Sequence, residues 1–273
     1  MLKKHTMIAR SGKGRAATFG LSFALLLLAA SGCSSKTATH QPAASVPQPA
    51  VHYTPIDPAT AGTVAGTIRL EGKVPTPIVI DMTQDPQCGV ATKTPNITQQ
   101  YVAHGGKLAN VFVYIQDGLG DRIYAPGKTT VVVDQKGCRF IPHVIGAMVG
   151  QPVEFRNSDP TMHNVHIVPP GEEASGGFDI SQPPMGKPQQ HVFHTAGLMI
   201  PVRCNNHPWM EAFLNVVKNP FFAVSSRDGA FEIRGLPPGT YTLVAVQEKL
   251  GKQSESITVQ TGKTTTANFT FHM

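Results

Sequence analysis

Hydrophobic and polar residues alternate along most of the chain after residue 62, which is the period of a β-strand. Val64, Gly66, Ile68 and Leu70 are separated by single residues, so one face of this segment is expected to be buried. Similar segments follow, bounded by Gly, Pro, Asn and Asp residues that favour turns. Further strands are predicted at 109–115, 129–134, 152–157, 163–168, 190–194, 198–204 and 212–217. Because no segment after residue 35 carries a helical repeat, the pattern predicts an all-β protein.

The first 32 residues have a different pattern from the rest of the chain. Five basic residues and no acidic residue precede an apolar run from Phe19 to Ala30. A charged start, an apolar run and then small residues are typical of a secretory leader. The run is shorter than the ~20 residues that a membrane-spanning helix needs. Residues 1–32 are therefore predicted to be a signal peptide.

Cys33 directly follows the small residues Ser31 and Gly32. This arrangement resembles the lipobox of bacterial lipoproteins, which implies lipidation of Cys33 and a lipid anchor in the membrane. The resemblance implies the periplasmic side of the outer membrane, or the cell surface. An ordinary signal peptide followed by an incidental cysteine is the alternative.

Residues 33–61 are rich in Ala, Pro, Ser, Thr and Gln and contain few large apolar side chains. Such a segment cannot bury enough surface to fold, and it is predicted to be a disordered tether. After the leader the chain carries 18 basic and 17 acidic residues. This near-neutral balance argues against nucleic-acid binding.

The segment 202–210 contains a thiol, an imidazole and a thioether in the spacing Cys204-x2-His207-x2-Met210. These are ligands that suit copper, and a type 1 site adds a second imidazole to them. The second imidazole is expected from His163. His166 is the rival, but successive side chains of a strand point to opposite faces, and His163 shares its face with two apolar residues.

Residues 128–218 resemble a cupredoxin, and within that family they are most like amicyanin and plastocyanin. The resemblance is carried by Val-Gly-x-Pro-Val-x-Phe-x-Asn at 149–157, by His-Asn at 163–164, by Gly197 and by the loop 204–210, with Pro after His. It implies one type 1 copper ion as cofactor. The residues that it implies are the ligands His163, Cys204, His207 and Met210, Asn164 as a bridge between the two ligand loops, and Pro208 beside the histidine.

The last segment contains Asp-Gly-x-Phe at 228–231 and Leu-Pro-Pro-Gly-Thr-Tyr at 236–241. It resembles the carboxypeptidase regulatory-like β-sandwich, also called a carbohydrate-binding-like fold. The opening motif of that fold, Gly-x-Val-x-Gly-x-Ile, is present at 62–68. This implies one sandwich split between residues 62–127 and 219–273, with the cupredoxin domain inserted between them. The alternative is two modules in series with an irregular N-terminal extension.

Cys88 and Cys138 remain after Cys33 and Cys204 are assigned. Two such cysteines in an oxidising compartment most often form a disulfide. The rival is a second metal site that uses Cys138 and His143 with His104 or His191.

The leading hypothesis is a lipid-anchored electron carrier of the cell envelope. The chain lacks paired catalytic carboxylates, a nucleophile elbow and the further histidine clusters of multicopper oxidases, so it is not expected to be an enzyme. A c-type cytochrome or a copper dehydrogenase is the redox partner that the resemblance implies. A copper chaperone, or an envelope module that binds glycan or another partner through the regulatory-like sandwich, are the alternatives.

His207 lies in mid-loop, and its ring edge is expected to face solvent. Pro208 and Trp209 would then complete an apolar patch through which electrons leave and on which a partner docks. The alternative is that Trp209 packs inward.

Overall fold

A computed structural model describes residues 51–92 and 94–273. The predicted signal peptide, the predicted lipidation site Cys33 and the predicted tether up to residue 50 lie outside the described residues. The all-β prediction is confirmed: the described residues form short strands, one six-residue α-helix and one 3-10 turn. No helix among them is long and apolar enough to cross a membrane.

The strands and the two short helical elements occur in a fixed order along the described chain. In order they are β1 (Gly62–Glu71), α1 (Pro86–Ala91), β2 (Ala103–His104), β3 (Lys107–Leu108), β4 (Phe112–Asp117), β5 (Val131–Gln135), β6 (Phe140–Ile141), β7 (Val144–Met148), β8 (Pro152–Asn157), β9 (His163–Ile167), the 3-10 turn Glu173–Ser175, β10 (Phe178–Gln182), β11 (Gln189–Val192), β12 (Gly197–Arg203), β13 (Glu211–Val217), β14 (Phe222–Val224), β15 (Ala230–Leu236), β16 (Gly239–Gln247), β17 (Gly251–Val259), β18 (Thr264–Thr266) and β19 (Phe269–His272).

One sandwich is built from strands at both ends of the described chain. Its first sheet has the order β15-β1-β3-β2, and β1 also pairs in parallel with β18 and β19. Its second sheet has the order β14-β4-β16-β17. The alternating apolar residues of β1 lie in the core between these sheets, with Val64 and Ile68 fully buried. Strands from before residue 118 and after residue 221 therefore share one hydrophobic core.

The second sandwich is formed by the segment between those two parts. One sheet has the order β10-β9-β12-β13-β7, and the other has the order β11-β8-β5-β6. Val165 and Ile167 of β9 face its core, as the alternation of side chains along the strand predicted. His166 is half-buried on the other face. This sandwich carries all of the predicted copper ligands.

A third apolar cluster joins the two sandwiches. Phe112 and Val244, from β4 and β16 of the first sandwich, pack with Val144 and Val217, from β7 and β13 of the second. The outer face of one sheet is thereby covered by an edge of the other sandwich. This contact buries apolar side chains that a single sandwich would leave in water.

Several elements were not predicted from the sequence, among them β7, β10 and helix α1. The Gly- and Pro-rich composition of residues 169–188 favours a loop, but 178–182 form β10, which pairs along its length with β9. Helix α1 has six residues, too few to show a helical repeat, and it begins with Pro86 after Asp85 caps it. Asp85 accepts a hydrogen bond from the backbone N–H of Gln87 at 2.9 Å, which is the usual action of an N-cap side chain.

The sandwich split in sequence requires a residue without a side chain at Gly66 of β1. A Cβ atom built there would lie 1.5 Å from the carbonyl oxygen of Ala267, a backbone atom held by the neighbouring strands. We expect Gly66→Ala to lower the free energy of unfolding by about 3 kcal/mol, the upper range for overpacking. Thermal unfolding followed by circular dichroism measures the change. Gly89→Ala is the control, because nothing lies within 4 Å of its Cβ position; equal effects in both variants would contradict the account.

Candidate metal centre

The ends of three neighbouring strands bring the predicted ligands together. His163 is the first residue of β9, Cys204 directly follows β12, and Met210 directly precedes β13. Strand β12 pairs with both β9 and β13, so these strand ends lie side by side. The loop between Cys204 and Met210 is closed by two backbone hydrogen bonds, from Met210 N–H to the His207 carbonyl (2.9 Å) and from Cys204 N–H to the Met210 carbonyl (3.3 Å).

The donor atoms of three of these residues converge inside the second sandwich. The Nδ1 atoms of His163 and His207 are 3.0 Å apart, and the Cys204 Sγ lies 3.6 Å from the His207 Nδ1. One ligand atom from each of the three residues lies within 4.8 Å of the others. His163 is 0% exposed, and Cys204 and His207 are each 4% exposed. Met210, 1% exposed, belongs to the same apolar cluster as Cys204.

Asn164 connects the two ligand segments. Its backbone N–H donates to the Cys204 Sγ (3.3 Å), and its side-chain Oδ1 accepts from the Asn205 N–H (3.1 Å). Its Nδ2 donates to the Ile180 carbonyl at 3.0 Å and to Asp179. Asn164 therefore fixes the loop that follows Cys204 against β9 and β10, which is the bridging position implied by the cupredoxin resemblance.

The Nε2 atom of each histidine, which faces away from the centre, lies within hydrogen-bond distance of a carboxylate. The His163 Nε2 is 2.9 Å from Asp159 Oδ2, and the His207 Nε2 is 2.9 Å from Asp85 Oδ2. An ionised carboxylate only accepts hydrogen bonds, so the Nε2 of each ring carries the proton. In the neutral form of each ring, the Nδ1 then keeps a lone pair that points to the centre. Metal-ligating histidines are held in this way in most metal sites.

Sequence reasoning missed both carboxylates. Asp159 lies four residues before His163, in the short turn that leads into β9. Its position so near a predicted ligand is the signal that identifies it. Asp85 is 122 residues away from His207 in the chain, and no local pattern points to it.

The charges of the metal-free site are arranged around Cys204 and His163. Burial raises the pKa of the Cys204 thiol, but its contacts with His163, with the Asn164 N–H and with His207 outweigh it and lower the pKa to about 6. Burial also lowers the pKa of His163, but its hydrogen bonds to Asp159 and Cys204 outweigh this and raise the pKa to about 8. At neutral pH Cys204 is therefore mostly a thiolate, the form that binds metal ions, and His163 is mostly in its charged form with both ring nitrogens protonated.

The predicted disulfide between Cys88 and Cys138 is present. It fastens α1 to the loop before β6, and both cysteines are fully buried. The rival second metal site receives no support, because Cys138 is in this bond and His143 Nε2 is 3.0 Å from Glu248 Oε2 instead.

The prediction that His207 turns its ring edge to solvent is wrong. Its Nε2 is covered by Asp85, and Trp209 lies against the ring with the two ring centroids 5.1 Å apart. Pro208 is exposed, whereas Trp209 is half-buried and packs against the core of the second sandwich. The physical reason is that the segment around α1, which the sequence placed with the other sandwich, folds over this side of the loop.

Comparison with known families and structures gives partial matches. The model of the carboxypeptidase regulatory-like domain family matches residues 211–272. No curated protein matches the chain.

Among solved structures the chain is similar to cupredoxins and to a copper enzyme. One is the Cu-containing nitrite reductase (NirK) from Thermus scotoductus SA-01, at 22% identity over 38% of this chain and 26% of that chain, with a TM-score of 0.28. This chain therefore spans about a quarter of that reductase. Another is an amicyanin mutant in its reduced Cu(I) form, at 22% identity over 34% of this chain and 91% of that chain, with a TM-score of 0.28. A purple cupredoxin from Nitrosopumilus maritimus matches at 20% identity over 32% of this chain and 98% of that chain, with a TM-score of 0.26.

The pKa values of Cys204 and His163 predict how metal affinity changes with pH. At pH 7 the Cys204 thiol is ionised and His163 is protonated, so a metal ion must displace about one proton, from His163. We expect the apparent affinity for Zn²⁺ to rise about tenfold per pH unit between pH 6 and 8, because one proton is displaced, and to level off above pH 8. Chelator competition measures it.

The control for this prediction is Asp159→Asn. Removing this charge lowers the pKa of His163, and the affinity should then level off at a lower pH. An affinity that does not change between pH 6 and 8 in the unaltered protein would contradict the assigned protonation states.

Proposed function

We propose that the protein is a type 1 copper protein that carries single electrons. The observation that carries the proposal is the convergence of His163 Nδ1, His207 Nδ1 and Cys204 Sγ in one buried space. One thiolate and two imidazoles, with Met210 buried beside them, form the donor set of a type 1 site. Copper bound there would supply one-electron exchange between Cu(I) and Cu(II).

The residues around this space support an electron carrier because they hold the proposed ligands in place. Little then has to rearrange when the copper ion changes its oxidation state. Asp159 and Asp85 orient the two rings, and Asn164 holds the loop that carries Cys204 and His207. The Asn164 N–H also supports the negative charge of the thiolate. A site whose ligands are fixed in advance by such contacts keeps its geometry when its charge changes.

Burial favours retention of the metal over its delivery. The four proposed ligands are between 0% and 4% exposed. A protein that hands its metal to an acceptor has to bring at least one ligand within reach of that acceptor. In this site a ligand becomes accessible to an acceptor only if the chain around it moves. We therefore favour electron transfer over a copper chaperone as the function.

We further propose that the protein acts in the cell envelope, anchored by lipid on Cys33. The support is the charged and apolar leader, the cysteine after small residues and the buried disulfide, which belongs to an oxidising compartment. A mature protein that begins at another residue and stays in the aqueous phase would contradict the anchor.

The proposed partner is a redox protein, either a c-type cytochrome or a dehydrogenase, and the proposal includes no enzyme activity of the chain's own. Pro208 and Trp209 are its proposed contact, since Pro208 is exposed and Trp209 lies against His207. Redox contacts are small, so few residues are needed. Failure of the copper-loaded protein to exchange electrons with either class of partner would remove this part of the proposal.

The visible spectrum of the copper-loaded protein tests the function directly. We expect an intense thiolate-to-copper band, and we expect both Cys204→Ser and His163→Ala to abolish it because each removes one of the converging donors. His166→Ala is the matched control, since His166 lies on the same strand but on its other face, and it should keep the band. A band that survives in Cys204→Ser ends the assignment.

A further inference from the structure

We infer that Asp85 is a positioning residue for His207. We also infer that residues 78–92, called here the cover segment, close the metal centre on the side of the His207 ring. The inference rests on the proposed metal centre, and it adds a part of the chain outside the cupredoxin-like region to that centre. Two observations carry it: the contacts of the Asp85 carboxylate and the two buried anchors on either side of it.

Both oxygens of the Asp85 carboxylate are in use. Oδ2 lies 2.9 Å from the His207 Nε2 and accepts a hydrogen bond from the Thr161 hydroxyl at 2.8 Å. Oδ1 accepts from the Gln87 N–H and caps α1. The carboxylate is therefore held from the helix and from the loop before β9, and the direction in which it accepts from His207 is fixed.

The cover segment is anchored three residues before Asp85 and three residues after it. Met82 and Cys88 both lie in the core of the second sandwich, 9% and 0% exposed. Asn96, itself buried, donates to the Met82 Sδ (3.2 Å) and to the Gly137 carbonyl (2.7 Å). These anchors keep Asp85 above His207 although the two residues are far apart in sequence.

The disulfide links the two segments that carry Asp85 and Asp159, the carboxylates that hold His207 and His163. On one side, Cys88 lies in the helix that Asp85 caps. On the other side, the Cys138 N–H donates to Asp159 Oδ2 at 2.7 Å, and this same oxygen lies against the His163 Nε2. A single crosslink thus ties the carboxylate of His207 to the carboxylate of His163.

Two consequences follow for the site. The proton that Asp85 holds on Nε2 leaves a lone pair on the His207 Nδ1, which lies 3.0 Å from the His163 Nδ1 and 3.6 Å from the Cys204 Sγ. The segment also shields the His207 ring from solvent, since His207 is 4% exposed. A reagent or chelator that approaches from this side reaches the centre only when the cover segment moves away.

The experiment measures the tautomer of His207 and the reactivity of Cys204 in the metal-free protein. Nitrogen-15 NMR above pH 8 should show the Nε2–H tautomer in the unaltered protein and a mixture of tautomers in Asp85→Ala. Alkylation of Cys204 by iodoacetamide should be about tenfold faster or more in Asp85→Ala, because the hydrogen bond lost is one to a charged group. Asp85→Asn has only one acceptor oxygen, and when that oxygen caps α1 its amide NH2 faces the His207 Nε2. It should therefore lower the Nε2–H population as Asp85→Ala does, while the retained cap keeps the alkylation rate nearer to that of the unaltered protein.

Asp81→Ala is the matched control. It removes another carboxylate of the cover segment, one that is exposed and accepts from the Thr83 N–H, and it should change neither measurement. The double variant Cys88→Ser, Cys138→Ser keeps Asp85 but releases the segment, and it should raise the alkylation rate as Asp85→Ala does. It also keeps the inference testable if Asp85→Ala does not fold.

An unchanged tautomer and an unchanged alkylation rate in Asp85→Ala would overturn the positioning role. An unchanged alkylation rate in the double cysteine variant would overturn the role of the disulfide in closing the site. Both measurements are made without metal, so they are separate from the copper proposal. A protein that shows the expected tautomer but no thiolate-to-copper band would sink the copper proposal and leave the positioning role standing.

Discussion

The hydrogen bond between the outer nitrogen of each histidine and a buried or half-buried carboxylate is the interaction on which the site depends. Without it an imidazole has two tautomers, and only one of them offers Nδ1 to the centre. Asp159 and Asp85 settle this choice for His163 and His207. With both rings fixed, the two Nδ1 atoms and the Cys204 thiol meet in a buried space. The low pKa of the thiol and the raised pKa of His163 are consequences of the same arrangement.

The fold supplies these carboxylates from different parts of the chain. Asp159 belongs to the turn that leads into β9, so it comes with the second sandwich. Asp85 belongs to a segment between β1 and β4, both of which are strands of the first sandwich. The proposed centre is thus completed by one residue, Asp85, from a part of the chain outside the strands that carry the proposed ligands. The Cys88–Cys138 disulfide is the covalent part of this connection, and the apolar cluster of Phe112, Val144 and Val217 is the non-covalent part.

The sequence predicted what depends on local pattern and missed what depends on distant contacts. The alternation in β1 and the spacing of Cys204, His207 and Met210 were readable because strands and short loops fix their neighbours' positions. The pleat of β9 also separated His163 from His166. The burial of His207 was not readable, because the residue that covers it lies 122 positions away. Strand β10 was hidden among Gly and Pro residues, and its pairing with β9 determines its structure more than its own composition does.

X-ray absorption at the copper edge of the copper-loaded protein tests the central claim most directly, because it reports the atoms around the metal themselves. The account predicts one short copper–sulfur distance from Cys204 together with nitrogen scattering from two imidazole rings. It also predicts that His207→Ala removes about half of the imidazole scattering and leaves the short sulfur distance in place. A first shell of nitrogen and oxygen without a short sulfur distance would contradict the claim that His163, Cys204 and His207 form one copper site.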